Sequence, residues 1–304
     1  MNAFIDLYRV DYGVEPICTV LQVAPSAYWR HAARILNPSL QSLRAQRDGQ
    51  LIPQIEQIWK DNFKVYGVRK VWHSLRRQGV RVARCTVERL MARRGLKGAY
   101  RGKRVRTTVP DDQADYPRDL VKRQFHANRP NRLWVADFTY VSTWQGWVYV
   151  AFIIDVFACR IVGWRMSSSM KSDFVLDALE QALYSRQPTD RDGLVHHSDR
   201  GSQYLSIRYT DRLSDAGIKP SVGTTGDSYD NALAETINGL YKTELIHRRG
   251  PWKTKAAVEI ATLEWVAWFN HQRLLSSIGY IPPAEAEENY HKQQSITAVE
   301  YQPL

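Results

Sequence analysis

Residues 133–166 carry three apolar runs separated only by short turns: LWVADFTYVST, then WVYVAFIIDVF, then RIVGWRM. All three are rich in β-branched and aromatic residues, which suit a pleated, packed surface. The breaks at Gln145-Gly146 and Ala158-Cys159 leave room only for tight turns, so consecutive strands must pair antiparallel. The middle run is nearly continuous in apolar residues, the pattern of a strand covered on both faces. A chain with this meander therefore has to supply helices to both sides of a sheet. The following residues meet that demand. Ser172 can cap a helix carrying Val175, Leu176, Leu179 and Leu183 on one side. GLVHHSD reads as a short strand, 205–216 as a helix and IKPSV as a second short strand, with helices over 229–247 and 254–269. Strands followed by alternating helix and strand define an α/β fold.

The N-terminal third has a different texture. Residues 4–33 read as short helices, one opening at Pro16 and another capped by Ser26 and running through Tyr28, Trp29 and Arg30; they form either a helix-turn-helix or a small packing unit. Over 51–97, three helical stripes succeed one another: Ile52, Ile55, Ile58 and Trp59; Val68, Val71, Trp72 and Leu75; Val87, Leu90 and Met91. Gly67, Gly79 and Gly95 punctuate them, which predicts a plain or winged helix-turn-helix. The expected organisation is a small helical unit over 1–48, a helix-turn-helix over 49–97, a basic linker over 98–130, the α/β core with its C-terminal helices over 131–290 and a tail over 291–304.

Charge follows this division. Residues 1–130 hold 25 Lys and Arg against 11 Asp and Glu, whereas 131–304 hold 17 against 20, within a formal net charge of +11 over 304 residues. Between Arg69 and Arg106 stand 14 basic residues and one acid, Glu88. These charges share helices with compact apolar stripes, so Arg69, Lys70, Arg76, Arg77, Arg84, Arg89, Arg93, Arg94, Arg101, Lys103 and Arg104 are candidate phosphate contacts on double-stranded DNA. Cys18, Cys85 and Cys159 lie far apart without a CxxC pair, pointing to a reducing, cytoplasmic setting, on the nucleoid when DNA is bound. The most apolar run, 147–157, is too short for a membrane span and contains Asp155.

Three acids need a chemical reason. Asp137 lies within an otherwise core-like strand, where a lone carboxylate is costly unless paired or bound to a cation. Asp199 closes the strand VHHSD, and Glu235 sits on a helix behind the loop VGTTGDSYDNALAE, with 35 residues between the last two acids. Carboxylates from two strands and a helix suit hard divalent cations, two of which can clamp an in-line phosphoryl transfer. Asn231, Glu235, Asn238 and Lys242 recur at helical spacing on one face, so Asn231, Asn238 and Lys242 are candidate DNA contacts beside the acids. Asp155 reads as a structural cap, and Asp173, Asp177 and Asp230 as helix-start acids. His196 and His197 alternate across a strand and read as structural, and the tryptophans, such as Trp59, Trp72, Trp265 and Trp268, read as packing.

The segments NRLWVADFTYV, IDVFACRIVGW, HHSDRGSQY, DSYDNALAETINGLYKTEL and FNHQRLLSSIGYIPPAE resemble the catalytic subunit of bacterial insertion-sequence transposases of the IS-three family, relatives of retroviral integrases. The resemblance implies an RNase H-like integrase core behind an all-α helix-turn-helix region. It places the family's Asp, Asp, Glu triad on Asp137, Asp199 and Glu235 and its following basic residue on Lys242. It further implies two Mg²⁺ or Mn²⁺ ions per active site, cleavage of element ends, transfer of the 3′-hydroxyl ends to target DNA, and a homodimer or higher oligomer on DNA. Family members are often fused to an upstream frame with a leucine zipper. No heptad zipper occurs here, so the chain is expected to be a downstream product, acting alone, with an upstream-frame partner or as a fusion. Nor is there the clustered Cys/His zinc unit of retroviral integrases. Two other functions fit the same residues: an RNase H-like nuclease or resolvase that only hydrolyses, and a DNA-binding regulator derived from an inactive transposase.

Overall fold

The computed structural model describes residues 1–100, 119–121, 124–188, 193–199, 203–223 and 231–300. The three predicted strands form a meander: β1 (Leu133–Thr143), β2 (Gly146–Asp155) and β3 (Arg160–Ser167) pair antiparallel. Gly146 takes up a positive φ of 99° at the first turn, and Cys159 one of 55° at the second. Two short strands, β4 (Val195–Ser198) and β5 (Lys219–Val222), then add parallel to β1, giving the order β3-β2-β1-β4-β5. These two short strands are reached through helices, as parallel pairing requires.

Side chains alternate across the sheet and build two cores. On one face Trp134, Ala136, Ala151 and Ile153 pack against Phe174, Val175 and Leu179 of α7 (Asp173–Arg186) and Tyr209 and Leu213 of α8 (Ile207–Asp215). On the other, Val135, Val141, Val148, Val150 and Phe152 meet Ile237 and Tyr241 of α9 (Ala232–Tyr241) and Trp265 and Phe269 of α11 (Lys255–His271). Each such aliphatic or aromatic side chain contributes about 1.5–3 kcal/mol when fully buried. Between α9 and the short α10 (His247–Arg249) the backbone widens into a π-helical turn over Lys242–Ile246. Within that turn Glu244 is buried with Arg273 in a two-pronged ion pair of 2.9 and 2.6 Å.

The N-terminal helices α1 (Asn2–Tyr12), α2 (Val14–Val20) and α3 (Pro25–Leu36) enclose a small core of Ile5, Ile17, Cys18 and Tyr28. Helix α3 opens at Pro25, whose fixed φ suits the first helical position, so Ser26 lies inside the helix instead of capping it. Next come α4 (Leu43–Asp61), α5 (Val68–Arg77) and α6 (Arg84–Arg93), the latter two followed by Gly79 and Gly95 at φ of 80° and 66°. Helix α4 starts well before the predicted stripe because the Ser42 hydroxyl caps it, accepting from the Ala45 amide at 3.3 Å.

These three helices are built onto the α/β core. Their apolar stripes, Leu51, Ile55, Val71, Leu75, Leu90 and Met91, belong to the same continuous core as β2 and α11. The Tyr66 hydroxyl donates to the Gln272 carbonyl at 3.2 Å and accepts from the Leu274 amide at 2.8 Å. The Trp268 indole donates to Asn62 Oδ1 at 3.1 Å, and His73 stacks on Tyr280 with centroids 3.7 Å apart. Most of the expected linker lies outside the described residues; where it begins, the Ala99 amide donates back to the Val65 carbonyl at 3.0 Å. The final helix, α12 (Pro283–Glu300), runs on past residue 290, so 291–300 continue a helix and do not start a separate tail.

Two packing details make stability testable. A Cβ on Gly163 of β3 would stand 2.2 Å from the Ala178 carbonyl oxygen of α7, an impossible contact with backbone. Gly163→Ala should therefore cost at least about 1–3 kcal/mol and lower the thermal midpoint by several degrees; an unchanged midpoint would mean that α7 can shift without penalty. His196 is buried against α8, with Nε2 2.9 Å from the Tyr209 hydroxyl, and burial pushes its pKa down from 6.5 to about 3. As pH falls below about 6.5 the unfolded chain takes up a proton that the folded chain refuses. Stability should then decline down to about pH 3, by on the order of 4 kcal/mol from this group. Denaturant titrations across that range, with His196→Leu as the comparison, should show a flatter acid limb in the variant.

Candidate active site

The pairing of β1 with β4 sets the site. Its register runs from Leu133↔Val195 to Ala136↔Ser198. One residue further along each chain lie Asp137 and Asp199. Adjacent strands stand about 4.8 Å apart, and residues level with one another point to the same face. The two acids thus emerge side by side at the carboxyl ends of parallel strands. Asp137 Oδ1 accepts from the Phe138 amide at 2.8 Å and Oδ2 from the Asn238 amide nitrogen at 2.9 Å. Both bonds favour the carboxylate. Burial and the neighbouring Asp199 charge outweigh them and push the Asp137 pKa up to about 8, with Glu235 adding a weaker push of the same sign.

Helix α9 brings in Glu235. Asn231, at its N-cap, donates from Nδ2 to the Ala136 carbonyl at 2.8 Å, and Asn238, seven residues on, donates to Asp137. Glu235 lies between these two attachments and shares their face. Asn231 and Asn238 are both buried, so their amide nitrogens serve this clamp and face inward, unlike the outward DNA contacts expected from helical spacing alone. Lys242 follows at the start of the π turn, with Nζ 4.6 Å from the centre of the Tyr140 ring.

Sequence reasoning did not single out Tyr140 or Tyr204. Tyr204 is buried near both aspartates, its hydroxyl has no hydrogen-bond partner among the described residues, and burial with the surrounding charges keeps it protonated. The only signal in the sequence was an aromatic five residues beyond Asp199. Asp155 is a structural cap, fully buried and accepting from the Asn131 and Phe157 amides at 2.7 and 3.0 Å. His197 Nδ1 lies 2.9 Å from the Ser221 hydroxyl, and Asp173 pairs with Arg208 at 2.7 Å. Asp230 lies outside the described residues.

The donor set suits a hard cation. Asp137 and Asp199 offer oxygens from adjacent strand ends, and the Oδ1 atoms of Asn231 and Asn238 are buried without a hydrogen-bond partner among the described residues. The crowding that keeps a proton on Asp137 would be relieved by a divalent charge. Among the described residues no group of three His, Cys, Asp or Glu side chains is placed to hold a metal ion, in keeping with Glu235 being the weakest of the influences on Asp137.

The expected phosphate contacts divide by environment. Lys70 is tucked over Tyr66 at 5.1 Å, where burial pushes its pKa down to about 7, and Arg77 is paired with Glu285 of α12 at 3.0 Å. Arg89 makes a two-pronged pair with Asp48 at 2.8 and 2.7 Å, and Arg94 pairs with Glu56 at 3.1 Å. Arg69 reaches the Tyr280 hydroxyl at 3.5 Å, and Arg76 lies over Trp72 at 5.0 Å. Arg84 and Arg93 are exposed on α6, while Arg101, Lys103 and Arg104 lie outside the described residues.

Five strands in this order, with acids at the ends of β1 and β4 and on a helix lying across them, define an RNase H-like integrase core, a metal-dependent polynucleotidyl transferase. Family models for the integrase core domain match residues 127–228 and 216–283, and one for an HTH-like domain matches 46–104. The chain is 59% identical over 291 residues to the transposase for insertion sequence element IS629 of Shigella sonnei, covering 96% of this chain and 97% of that one. It is 54% identical over 281 residues to a putative transposase for IS986/IS6110 of Mycobacterium tuberculosis, covering 91% of this chain and 99% of that one. Among solved structures, the HTLV-2 integrase catalytic core in complex with magnesium is similar at 17% identity and a TM-score of 0.42, over 53% of this chain and 98% of that one. The chain belongs to the insertion-sequence transposases with an integrase core domain. No described helix is long and apolar enough to cross a membrane.

The clamp is open to test. Asn231→Ala removes the buried amide bonded to the Ala136 carbonyl, a cost of about 0.5–1.5 kcal/mol, and frees the start of α9. A lower thermal midpoint together with a loss of metal-dependent DNA cleavage larger than the melting shift explains is the expected result; wild-type cleavage would show that Glu235 is placed by other contacts.

Proposed function

We propose that Asp137, Asp199 and Glu235 carry DNA cleavage and strand transfer for the ends of an insertion element. The observation that carries this reading is the register of β1 and β4, which sets two carboxylates level at adjacent strand ends beneath the clamped helix of Glu235. Asp137 and Asp199 would share two divalent ions, Mg²⁺ or Mn²⁺, and Glu235 would bind one of them. When bound, such ions neutralise charge on the scissile phosphate and make water or a hydroxyl a better nucleophile.

The chain's own residues supply position and charge. Held inward by Asn238 and the Phe138 amide, Asp137 presents its carboxylate in one orientation. Lys242, kept over Tyr140, offers a cation for a phosphate next to the scissile one. Tyr204 remains a hydroxyl donor beside the acids. Water first attacks the phosphorus at an element end and the bond to the 3′ oxygen breaks, leaving a 3′-hydroxyl. That hydroxyl then attacks a phosphodiester of the target strand, releasing the target's own 3′ oxygen. The helical unit over α4–α6, with Arg69, Arg76, Arg84 and Arg93 on its surface, binds duplex DNA at the element ends. Two ends must meet, so a dimer or higher assembly on DNA is part of this reading.

Asp137→Asn, Asp199→Asn and Glu235→Gln should each lower metal-dependent end cleavage and the joining of pre-cleaved ends by at least about a hundredfold, while duplex binding in a gel-shift assay stays at the wild-type level. Full activity in any of the three would refute the assignment. Hydrolysis by the wild type without joined products would make it a nuclease, and metal-independent behaviour throughout would make it a DNA-binding regulator.

A further inference from the structure

Beyond Ala136, among the described residues, β1 pairs with β2 and is otherwise bridged only at its far end, Thr143 to Trp252, so the stretch between is open on its other edge. Along this open stretch and around the turn stand three aromatic side chains that packing does not cover: Tyr140 at 39% exposure, Trp147 at 52% and Trp144 at 70%. Tryptophan in a soluble chain ordinarily buries most of its surface, so two exposed indoles within four residues of each other form a patch that needs a function. Their arrangement is ordered. Tyr140 and Trp147 meet edge to face with centroids 5.3 Å apart. The hairpin tip is tied down, because the Trp144 amide donates to the Trp252 carbonyl at 3.0 Å and the Lys255 amide to Gln145 Oε1 at 3.1 Å. Two lysines complete it: Lys242 over Tyr140 at 4.6 Å and Lys253 over Trp144 at 5.6 Å.

From these observations we infer that Tyr140, Trp147 and Trp144, with Lys242 and Lys253, form a stacking platform for unpaired nucleotides of the DNA strand that leaves the acids. The inference rests on the reading of Asp137, Asp199 and Glu235 as the site of strand cleavage. Aromatic rings with lysines set against them match a single strand, whose bases expose their own faces and whose phosphates lie between them. A paired duplex hides those faces. The position fits as well. Tyr140 is three residues from Asp137 along one extended strand, about 10 Å away and on the opposite face, but Lys242, which follows Glu235 on the side of Asp137, meets its ring at 4.6 Å, so the patch adjoins the acids around the β1 edge. Trp147 and then Trp144 continue outward, so the platform begins where a frayed end would emerge. A second copy of the chain fits less well, since a symmetric contact through this patch would bring the same two lysines against each other.

The test is binding to the full chain in EDTA, where no cleavage occurs, using a fluorescein-labelled oligo(dT) single strand and a blunt random-sequence duplex. The Trp144→Ala/Trp147→Ala double variant should lose roughly five- to a hundredfold in single-strand affinity for each base no longer stacked, with duplex affinity unchanged. Because both side chains are largely exposed, circular dichroism should match the wild type. The Trp144→Phe/Trp147→Phe variant should recover most of the lost affinity. The proposal is overturned if the wild type does not bind oligo(dT), if the Ala variant binds it normally, or if single-strand and duplex affinity fall together. It is overturned equally if sedimentation shows a wild-type dimer that the Ala variant dissolves, which would make the patch a self-association surface. None of these readouts depends on metal or on the acids, so they stand apart from the cleavage test of the three carboxylates.

Discussion

Asn231 gives its buried amide to the carbonyl of Ala136, the last β1 residue paired with β4, and Asn238 gives its own to Asp137 one residue later. Those two bonds fix where α9 lies on the sheet. Without them Glu235 would ride on a helix free to slide or roll over Val135 and Val141, because apolar packing is not directional. With them, the third acid is referenced to the same two backbone positions that place the first. A network of this kind also explains how Asp137 tolerates its surroundings. Its carboxylate is desolvated and faces a like charge, yet two donors hold it in place, so proton or cation can exchange there without the side chain moving.

Much of this was legible in the sequence, for reasons that can be named. The three-stranded meander follows from apolar runs and tight turn residues, and the helix after Ser172 announced itself by its stripe. The acids stood out because a carboxylate in LWVADFTYV contradicts its own context. What could not be read was direction. Helical spacing put Asn231 and Asn238 on the face of Glu235, correctly, but whether an amide looks out to a ligand or in to a strand depends on what lies beneath the helix. Spacing likewise could not distinguish Trp265, fully buried, from Trp144, largely exposed, since both sit in apolar company along the chain. Tyr204 was missed for a similar reason: only the fold brings it, five residues beyond Asp199, near Asp137 as well.

The basic N-terminal region shows the same limit in its charges. Read as a string, 14 cations between Arg69 and Arg106 suggest one continuous polyanion surface. Folded, they sort into two kinds. Lys70 and Arg77 face the α/β core, where Tyr66, Glu285 and the buried Glu244–Arg273 pair surround them, and Arg89 and Arg94 secure α4 to α6. Arg84 and Arg93 stay on the outer face of α6. Burying Lys70 beside Arg273 is unfavourable taken alone, which is why its pKa falls. It is tolerated because the apolar contacts of Val71, Leu75 and Tyr66 around it contribute more than the charge costs. The consequence is an HTH-like unit fixed relative to the acids, unlike a module carried on a flexible tether.

The π turn after α9 belongs to the same logic. Residues two apart in a regular α-helix point about 200° apart, so the helix alone already sends Lys242 and Glu244 to nearly opposite sides. Widening the backbone over Lys242–Ile246 relaxes that repeat. Lys242 then lies over Tyr140, while Glu244 reaches Arg273, itself packed against Trp268 and Phe269. Removing either half of the buried pair would strand a charge, so the distorted turn is held as firmly as the strands. Its outward product is a cation seven residues from Glu235, held 4.6 Å from the centre of the Tyr140 ring.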